Sequence, residues 1–227
     1  MKKKNANNYL DVIYNEKLVP FTAYPDKLAK HLFEIYGMNS NMKLLEVGCG
    51  RGEFLNGFVN CGLRGFGVDM FPNALIKFPN ANIKTANLEK DKLPYPSNSF
   101  DVVFSKSVIE HFYYPEKIIQ EIHRVLRPGG LVITMCPDWK YNYKIYFEDY
   151  THRTPFTELS LKDIHLIHGF NKVNVNKFRQ LPILWKYHFL NVLAEITRII
   201  CPNFFKRFKW VKFSKEIMLL ASAYKNK

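Results

Sequence analysis

The sequence lacks the patterns that would place it among several large classes of proteins. Its 227 residues include four cysteines, which show no spacing typical of metal ligands. No window reaches the roughly 18 uncharged apolar residues that a membrane span requires, because charges interrupt the stretch from Ile183 to Cys201. The lysines at the start precede no apolar run, so a signal peptide is not expected. These absences favour a reduced, cytoplasmic protein.

Acidic residues are scarce in the last two fifths of the chain. Residues 1–138 hold 17 Lys and Arg against 14 Asp and Glu, whereas residues 139–227 hold 16 against 6. The formal charge of +13 therefore lies mostly in the C-terminal part. Such asymmetry favours an anionic partner, which would be a membrane surface, an acidic substrate or, less well supported, a nucleic acid. The alternative is that the charge only keeps the protein soluble.

A glycine-rich stretch gives the clearest structural signal. The apolar run Leu44–Val47 contains Glu46, and glycines follow at positions 48, 50 and 52 before a second apolar segment. This pattern predicts a buried strand, a tight turn and a helix whose first N–H groups face the turn. The dinucleotide-binding fingerprint requires a small residue at position 53, where this chain has the bulky Glu53.

Further blocks follow in order along the chain: Gly65–Asp69, Ala86–Glu89, Leu93–Tyr95, Ser99–Ser105, Val108–His111, Glu121–Leu126 and Arg127–Ile133. With the glycine stretch, they resemble the class I S-adenosylmethionine-dependent methyltransferases of the small-molecule type. The likeness is to enzymes of quinone biosynthesis and to polysaccharide-associated enzymes. It is close over about residues 43–136.

Strands that alternate with helices at this spacing predict a parallel sheet. With the resemblance, they imply a three-layer, doubly wound α/β fold with a mostly parallel seven-stranded sheet, an antiparallel last strand and a helical insertion before it. We expect a single domain over residues 1–227. Its parts would be an N-terminal helical segment (1–40), a cofactor-binding core (41–138) and a substrate-side part (139–227) with an insertion at 182–215.

The resemblance implies that S-adenosylmethionine is the cofactor, and it suggests which residues bind it. Asp69, at the end of the second strand, would accept the ribose hydroxyls. Glu46 would reach the aminoacyl ammonium group. Asn87 stands where the family commonly has Asp, and its amide oxygen could still accept a bond from the adenine amino group. The other candidate cofactor-binding residues are Gly48, Cys49, Gly50, Met70, Leu88 and Ser105.

A loop rich in aromatic residues follows the fifth predicted strand, Leu131–Cys136, and leads into Asp149–Thr157. This segment resembles polysaccharide-cluster methyltransferases most strongly, since they often carry Asp, Thr-His, a basic residue and Pro-Phe-Thr here. Deprotonation of an acceptor hydroxyl needs a base with a pKa near neutrality, and His152 is the candidate, with Asp149 to orient it. The alternative is that His152 only pins the loop. His111 is expected to be structural, and no metal site is expected.

The insertion contains a basic aromatic stretch over residues 203–213. As one helix, it would place Phe204, Phe205, Phe208 and Val211 on one face and lysines on another. Such a helix can lie in a membrane interface. It could equally be a lid over the sheet or the substrate.

The sequence therefore predicts a methyltransferase acting on a small-molecule or glycan acceptor, with a hydroxyl in surface-polysaccharide or glycolipid biosynthesis as the favoured target. An isoprenoid quinone, another lipid or RNA is the alternative acceptor. A non-catalytic cofactor-binding subunit is the third interpretation. The oligomeric state is left open.

Overall fold

The computed structural model describes residue 16 and residues 19–71, 77–78 and 81–227. The chain divides into two compact units, residues 1–94 and residues 95–227. The first half of the expected N-terminal segment lies largely outside the described residues.

The first unit alternates strands and helices. Over its described residues, the elements are α1 (Tyr24–Ile35), β1 (Lys43–Val47), α2 (Glu53–Asn60), β2 (Arg64–Asp69) and β3 (Asn82–Thr85). β2 pairs in parallel with both β1 and β3. Helices α1 and α2 lie close together because α2 has a glycine where they meet: a Cβ at Gly57 would lie 3.0 Å from Cβ of Ala29. Removing a side chain at such a contact lets two helices approach.

The second unit carries four strands and most of the helices that the structure describes. Its strands are β4 (Phe100–Lys106), β5 (Leu126–Pro137), β6 (Phe170–Phe178) and β7 (Met218–Lys225). Its α-helices are α3 (Pro115–Val125), α4 (Trp139–Asn142), α5 (Glu158–Ile167), α6 (Pro182–Lys186), α7 (Leu190–Ile200) and α8 (Lys209–Lys215). Short 3₁₀ helices cover Ile109–His111, Tyr146–Glu148 and Asn203–Arg207.

The seven strands form one sheet in the order β3-β2-β1-β4-β5-β7-β6. β4 and β5 run in parallel, whereas β7 is antiparallel to both β5 and β6. This confirms the predicted α/β fold with a mostly parallel sheet, an antiparallel last strand and helices inserted before it. Strand β5 is longer than the predicted Leu131–Cys136, since its pairing with β4 already begins at Leu126.

The insertion between β6 and β7 differs from the single amphipathic helix expected over residues 203–213. The backbone is extended at Phe208, so a 3₁₀ helix ends there and α8 begins one residue later. Val211 on α8 is buried, and Trp210 and Phe213 pack against a small core of Leu181, Leu184 and Ala194. These aromatic contacts hold α8 against α6 and α7, which explains why the stretch does not form one exposed helix.

Candidate active site

The glycine turn lies at the carboxyl end of β1 and opens α2. Gly48, Gly50 and Gly52 all have positive φ, at 72°, 48° and 78°, which is the conformation that favours glycine. The backbone N–H of Gly50 donates a hydrogen bond of 2.8 Å to the carboxylate of Asp69 at the end of β2. The turn is therefore held against the neighbouring strand, with its backbone close to a carboxylate.

Asp69 fits the role of a ligand for vicinal hydroxyl groups. Its other oxygen accepts the N–H of Phe71 at 3.0 Å, so both oxygens receive a backbone donor. Each carboxylate oxygen has two acceptor sites, so the carboxylate can still accept from a hydroxyl group. Burial raises the pKa of Asp69, and the N–H groups of Phe71, Gly50 and Met70 oppose that shift. The carboxylate of Asp69 thus suits the ribose hydroxyls of a nucleoside cofactor, which donate hydrogen bonds.

The other residues predicted for the cofactor in the first unit lie around this turn or after β3. Glu46 and Cys49 are buried at the end of β1 and in the turn, whereas Met70 is 42% exposed just after β2. The amide oxygen of Asn87 accepts the N–H of Glu89 at 3.1 Å, so this side chain also shapes the turn that contains Leu88. An exposed methionine beside Asp69 is a suitable surface for an adenine ring to pack on.

The second unit brings the loop after β5 onto the segment after β4. Backbone N–H groups of Arg153 and Thr154 donate to the carbonyl oxygen of Glu110 at 2.8 and 3.0 Å. The hydroxyl of Thr154 donates to the carbonyl oxygen of Phe112 at 2.7 Å. Ligand sites in α/β sheets lie beyond the carboxyl ends of the strands, as this loop does relative to β4 and β5. Ser105, predicted to border the cofactor, is buried near the end of β4.

His111 and His152 come together although 40 residues separate them along the chain. Their rings lie 4.8 Å apart, centroid to centroid. His152 donates from Nδ1 to the carbonyl oxygen of Tyr146 at 2.6 Å, since a carbonyl can only accept. Nε2 is therefore the nitrogen of His152 that carries the lone pair in the neutral ring.

Asp149 contacts the two histidines differently. The hydroxyl of Thr151 donates to Asp149 at 2.6 Å and therefore accepts from Nδ1 of His111 at 2.8 Å. The distance from Asp149 to Nε2 of His152 is 3.9 Å, which exceeds a hydrogen bond. The orienting role predicted for Asp149 thus reaches His111 through Thr151, while the carbonyl of Tyr146 orients His152.

Glu110 is the residue of this cluster that sequence reasoning missed as a functional candidate. Its side chain is 1% exposed, and neither carboxylate oxygen has a hydrogen-bond partner within the described part of the chain. Burial raises the pKa of Glu110 to about 8, and it lowers the pKa of His111 to about 4 with a contribution from His152. One carboxylate oxygen of Glu110 and one ring nitrogen each of His111 and His152 all lie within 4.8 Å of one another.

A cavity of about 170 Å³ adjoins His152. Besides apolar side chains, its lining includes the polar residues Ser107, Asn142, His152, Gln180 and Glu216. It is bounded by the ends of β5 and β7 and by the aromatic loop, so a ligand in it would meet several hydrogen-bonding groups. Such a lining suits a polar acceptor.

Comparison with known proteins agrees with this architecture. The family described as a methyltransferase domain matches residues 45–134. A probable S-adenosylmethionine-dependent methyltransferase of Mycolicibacterium smegmatis is 34% identical over 100 residues, which are 42% of this chain and 38% of that protein. A sterol 4-C-methyltransferase of Caenorhabditis elegans is 30% identical over 111 residues, 45% of this chain and 33% of that protein. The matched part thus spans between a third and two fifths of these relatives.

Solved structures share the fold over most of the chain. A phosphoethanolamine N-methyltransferase of Haemonchus contortus, in complex with S-adenosylhomocysteine, gives a TM-score of 0.67 at 18% identity. The superposition covers 96% of this chain and 59% of the Haemonchus chain. An S-adenosylmethionine-dependent methyltransferase from Archaeoglobus fulgidus gives 0.66 at 18% identity, covering 96% and 100%.

The strand order and the likeness to these solved structures show the fold of class I methyltransferases. Residues 45–134 are similar to a methyltransferase domain, and S-adenosylmethionine, the cofactor that the sequence predicted, is bound in a solved structure with this fold.

Proposed function

We propose that this protein transfers a methyl group from S-adenosylmethionine to a hydroxyl of a glycan or other small-molecule acceptor, in the assembly of a surface polysaccharide or glycolipid. The cavity beside His152, with five polar residues among the ten that line it, is the observation that supports this proposal most directly. Its amide, hydroxyl and carboxylate groups match the many hydroxyls of a sugar better than the apolar body of a quinone. The Asp149–Thr157 segment, which resembles polysaccharide-associated enzymes, supplies His152 to this cavity.

The residues divide the work of the reaction between binding and proton removal. S-adenosylmethionine supplies an electrophilic methyl group. Asp69 and the glycine turn would hold its nucleoside part. In the second unit, His152 would hold the acceptor hydroxyl and take its proton on Nε2, the nitrogen that carries the lone pair. Most of the remaining rate acceleration would come from alignment of the acceptor with the methyl group.

Two other functions compete with this proposal. An isoprenoid quinone, another lipid or RNA could be the acceptor, and the named relatives act on a sterol and on phosphoethanolamine. A non-catalytic cofactor-binding subunit is the remaining alternative, which the presence of both Asp69 and the His152 cavity disfavours. RNA is disfavoured because the cavity is small and its lining includes the acidic Glu216.

An acceptor assay with radiolabelled S-adenosylmethionine separates these functions. We expect label to enter a sugar-containing lipid or oligosaccharide precursor as an ether that resists mild alkali. Parallel reactions with a prenylated phenol and with RNA should stay at the level of a heat-denatured control. Label in the prenylated phenol or RNA alone would refute the glycan proposal. Label in no acceptor, despite bound cofactor, would favour the non-catalytic subunit.

We also propose that the insertion attaches the protein to an anionic membrane surface. Helix α7 and its ends carry a row of solvent-exposed apolar side chains, called here the α7 apolar face: Phe189, Val192, Leu193, Ile196, Ile199 and Ile200. Each is between 47% and 72% exposed. The opposite side of α7 faces the protein, where Ala194 is buried and Glu195 pairs with Arg179. No helix in the described part of the chain is long and apolar enough to cross a bilayer.

Basic and aromatic side chains beside the α7 apolar face suit a lipid interface. Phe204 and Phe208 are 72% and 51% exposed, and Arg207, Lys209 and Lys212 are also exposed. Apolar residues next to cations are typical of surface-bound segments. Lys206 and Lys212 lie 3.4 and 3.9 Å from Glu216, which lines the cavity. The membrane-facing part would therefore adjoin the acceptor cavity, as a lipid-linked acceptor requires.

Flotation with liposomes tests this attachment. Wild-type protein should float with anionic vesicles at low salt and be released at high salt, since each Lys or Arg near the surface contributes about 1 kcal/mol that salt screens. The double variant Ile196→Ser, Ile199→Ser should float less. Ile167→Ser on α5, which removes an isoleucine that is 76% exposed elsewhere, is the matched control and should float like wild type.

Wild-type protein that stays at the bottom of the gradient at low salt would refute the membrane proposal. The alternative, a lid over the acceptor cavity, would then account for the insertion. In that case Trp210→Ala should impair turnover without any effect of vesicles, because Trp210 donates to Thr197 and anchors α8 on α7. A cytoplasmic location at the inner face of a membrane stays a prediction from sequence.

A further inference from the structure

Three side chains that the proposed reaction leaves partly unexplained meet at one point. Glu110 and His111 lie in the 3₁₀ helix after β4, and His152 lies in the loop after β5. One atom of each side chain that can bind a metal ion lies within 4.8 Å of the corresponding atoms of the other two. A buried carboxylate is costly without compensating interactions, yet neither carboxylate oxygen of Glu110 has a hydrogen-bond partner within the described residues.

The hydrogen bonds around the two histidines determine which nitrogen each presents. His111 donates from Nδ1 to Thr151, which is held by Asp149, and His152 donates from Nδ1 to a backbone carbonyl. In both neutral rings the lone pair is then on Nε2. Histidines that bind metals are typically fixed in this way, with the second nitrogen donating to a carboxylate, carbonyl or other acceptor. The two histidines thus resemble metal ligands in two respects: Nε2 carries the lone pair, and a hydrogen bond from Nδ1 holds each ring in place.

We infer that Glu110, His111 and His152 bind one divalent transition-metal ion. Two imidazoles and one carboxylate form a ligand set that suits Zn²⁺, Fe²⁺, Co²⁺ or Ni²⁺. Three protein ligands leave coordination positions for water or for an oxygen atom of a ligand. The cation would also add positive charge beside the buried Glu110, on which the described residues place the charge of Lys106.

This inference deepens the proposed function and rests on it for its role in the reaction. His152 lines the acceptor cavity, so a cation at this site would lie at the cavity wall and could hold an acceptor oxygen. His152 would then act as a ligand, and coordination would lower the pKa of the acceptor hydroxyl so that its proton passes to solvent water. Metal binding itself can be measured without methyl donor or acceptor, so the two proposals can fail separately.

Equilibrium dialysis of chelator-treated protein against Co²⁺, with visible spectroscopy and metal analysis, tests the site. We expect one equivalent of Co²⁺ in the wild type, with absorption bands of a low-symmetry site, and competition by Zn²⁺. Glu110→Gln, His111→Ala and His152→Ala should each weaken binding by at least about tenfold. His168→Ala, which removes a histidine on the same unit outside the cluster, should bind like wild type.

Thermal melting guards against variants that fail to fold. Glu110→Gln keeps the shape of the side chain, so it should melt cooperatively without metal. Added Co²⁺ should raise the Tm of the wild type, because a ligand that binds only the folded state stabilises it, and should leave that of Glu110→Gln unchanged. A wild type that retains no Co²⁺ or Zn²⁺, or a folded Glu110→Gln variant that binds either ion equally well, would overturn the inference.

Discussion

Replacing His152 by Ala should lower the rate of methyl transfer by roughly 10²–10⁴-fold, the usual contribution of a positioned proton acceptor. The change removes Nε2, the nitrogen whose lone pair the Tyr146 hydrogen bond leaves available, from the wall of the acceptor cavity. The affinity for S-adenosylmethionine should not change, since the predicted ribose ligand Asp69 and the glycine turn lie in the other unit.

Single-turnover kinetics at saturating cofactor measure this step without contribution from product release. His168→Ala is the matched control, and it should retain the wild-type rate. An unchanged rate in His152→Ala would remove this residue from the reaction. A parallel loss of cofactor affinity would instead indicate that His152 only holds the loop after β5 in place.

The same variant separates the two roles proposed for His152. If the ring acts only as a base, added imidazole should restore part of the rate in chelator-treated protein. If it acts as a metal ligand, the chelator should abolish the rate of the wild type, and a divalent cation should restore it. Both outcomes retain His152 in the reaction. In the first, its Nε2 atom accepts the proton of the acceptor, and in the second, that atom binds the cation.

The fold of the first unit was largely predictable because its signals are local. β1 and β2 contain the run Leu44–Val47 and the block Gly65–Asp69, and the glycines at 48, 50 and 52 adopt the positive φ that a tight turn before a helix requires. The hydrogen bond from Gly50 to Asp69 links two motifs that the sequence marked separately. Short apolar runs bounded by glycines and carboxylates contain this information without reference to distant residues.

The cluster around His152 was not predictable in the same way. Glu110 and His111 are adjacent in sequence, but His152 follows about 40 residues later, with no ligand-like spacing. Their meeting depends on the N–H groups of Arg153 and Thr154 bonding to the carbonyl of Glu110, which is a tertiary contact. The one signal available was a Glu-His pair directly after a strand end, where ligand sites of α/β folds lie.

The insertion shows a different limit of periodicity. Helical spacing of phenylalanines over 203–213 predicted one amphipathic helix, yet Val211 is buried and Trp210 packs inward onto α7. The exposed apolar face lies instead on α7, within the stretch Ile183–Cys201 that was considered only as a membrane span. An apolar stripe does not reveal whether it faces the protein or the solvent, since both produce the same period.

Replacing Asp69 by Ala should weaken binding of S-adenosylmethionine by roughly 1–3 kcal/mol, the cost of leaving hydrogen-bonding groups unpaired. This corresponds to about 5- to 150-fold in Kd. Two effects act in the same direction. The ribose hydroxyls would lose their acceptor, and the N–H of Gly50 would lose the bond that holds the glycine turn against β2.

Titration calorimetry with S-adenosylmethionine and with S-adenosylhomocysteine measures this loss, and the wild type should bind in the low micromolar range or more tightly. Asp69→Asn should fall between wild type and Asp69→Ala, because an amide keeps one acceptor oxygen. Glu34→Ala, which removes an exposed carboxylate on α1 from the same unit, is the control and should bind like wild type. Absence of binding by the wild type would refute the methyltransferase function. Equal binding by wild type and Asp69→Ala would show that other residues hold the ribose, since the two proteins differ only at this carboxylate.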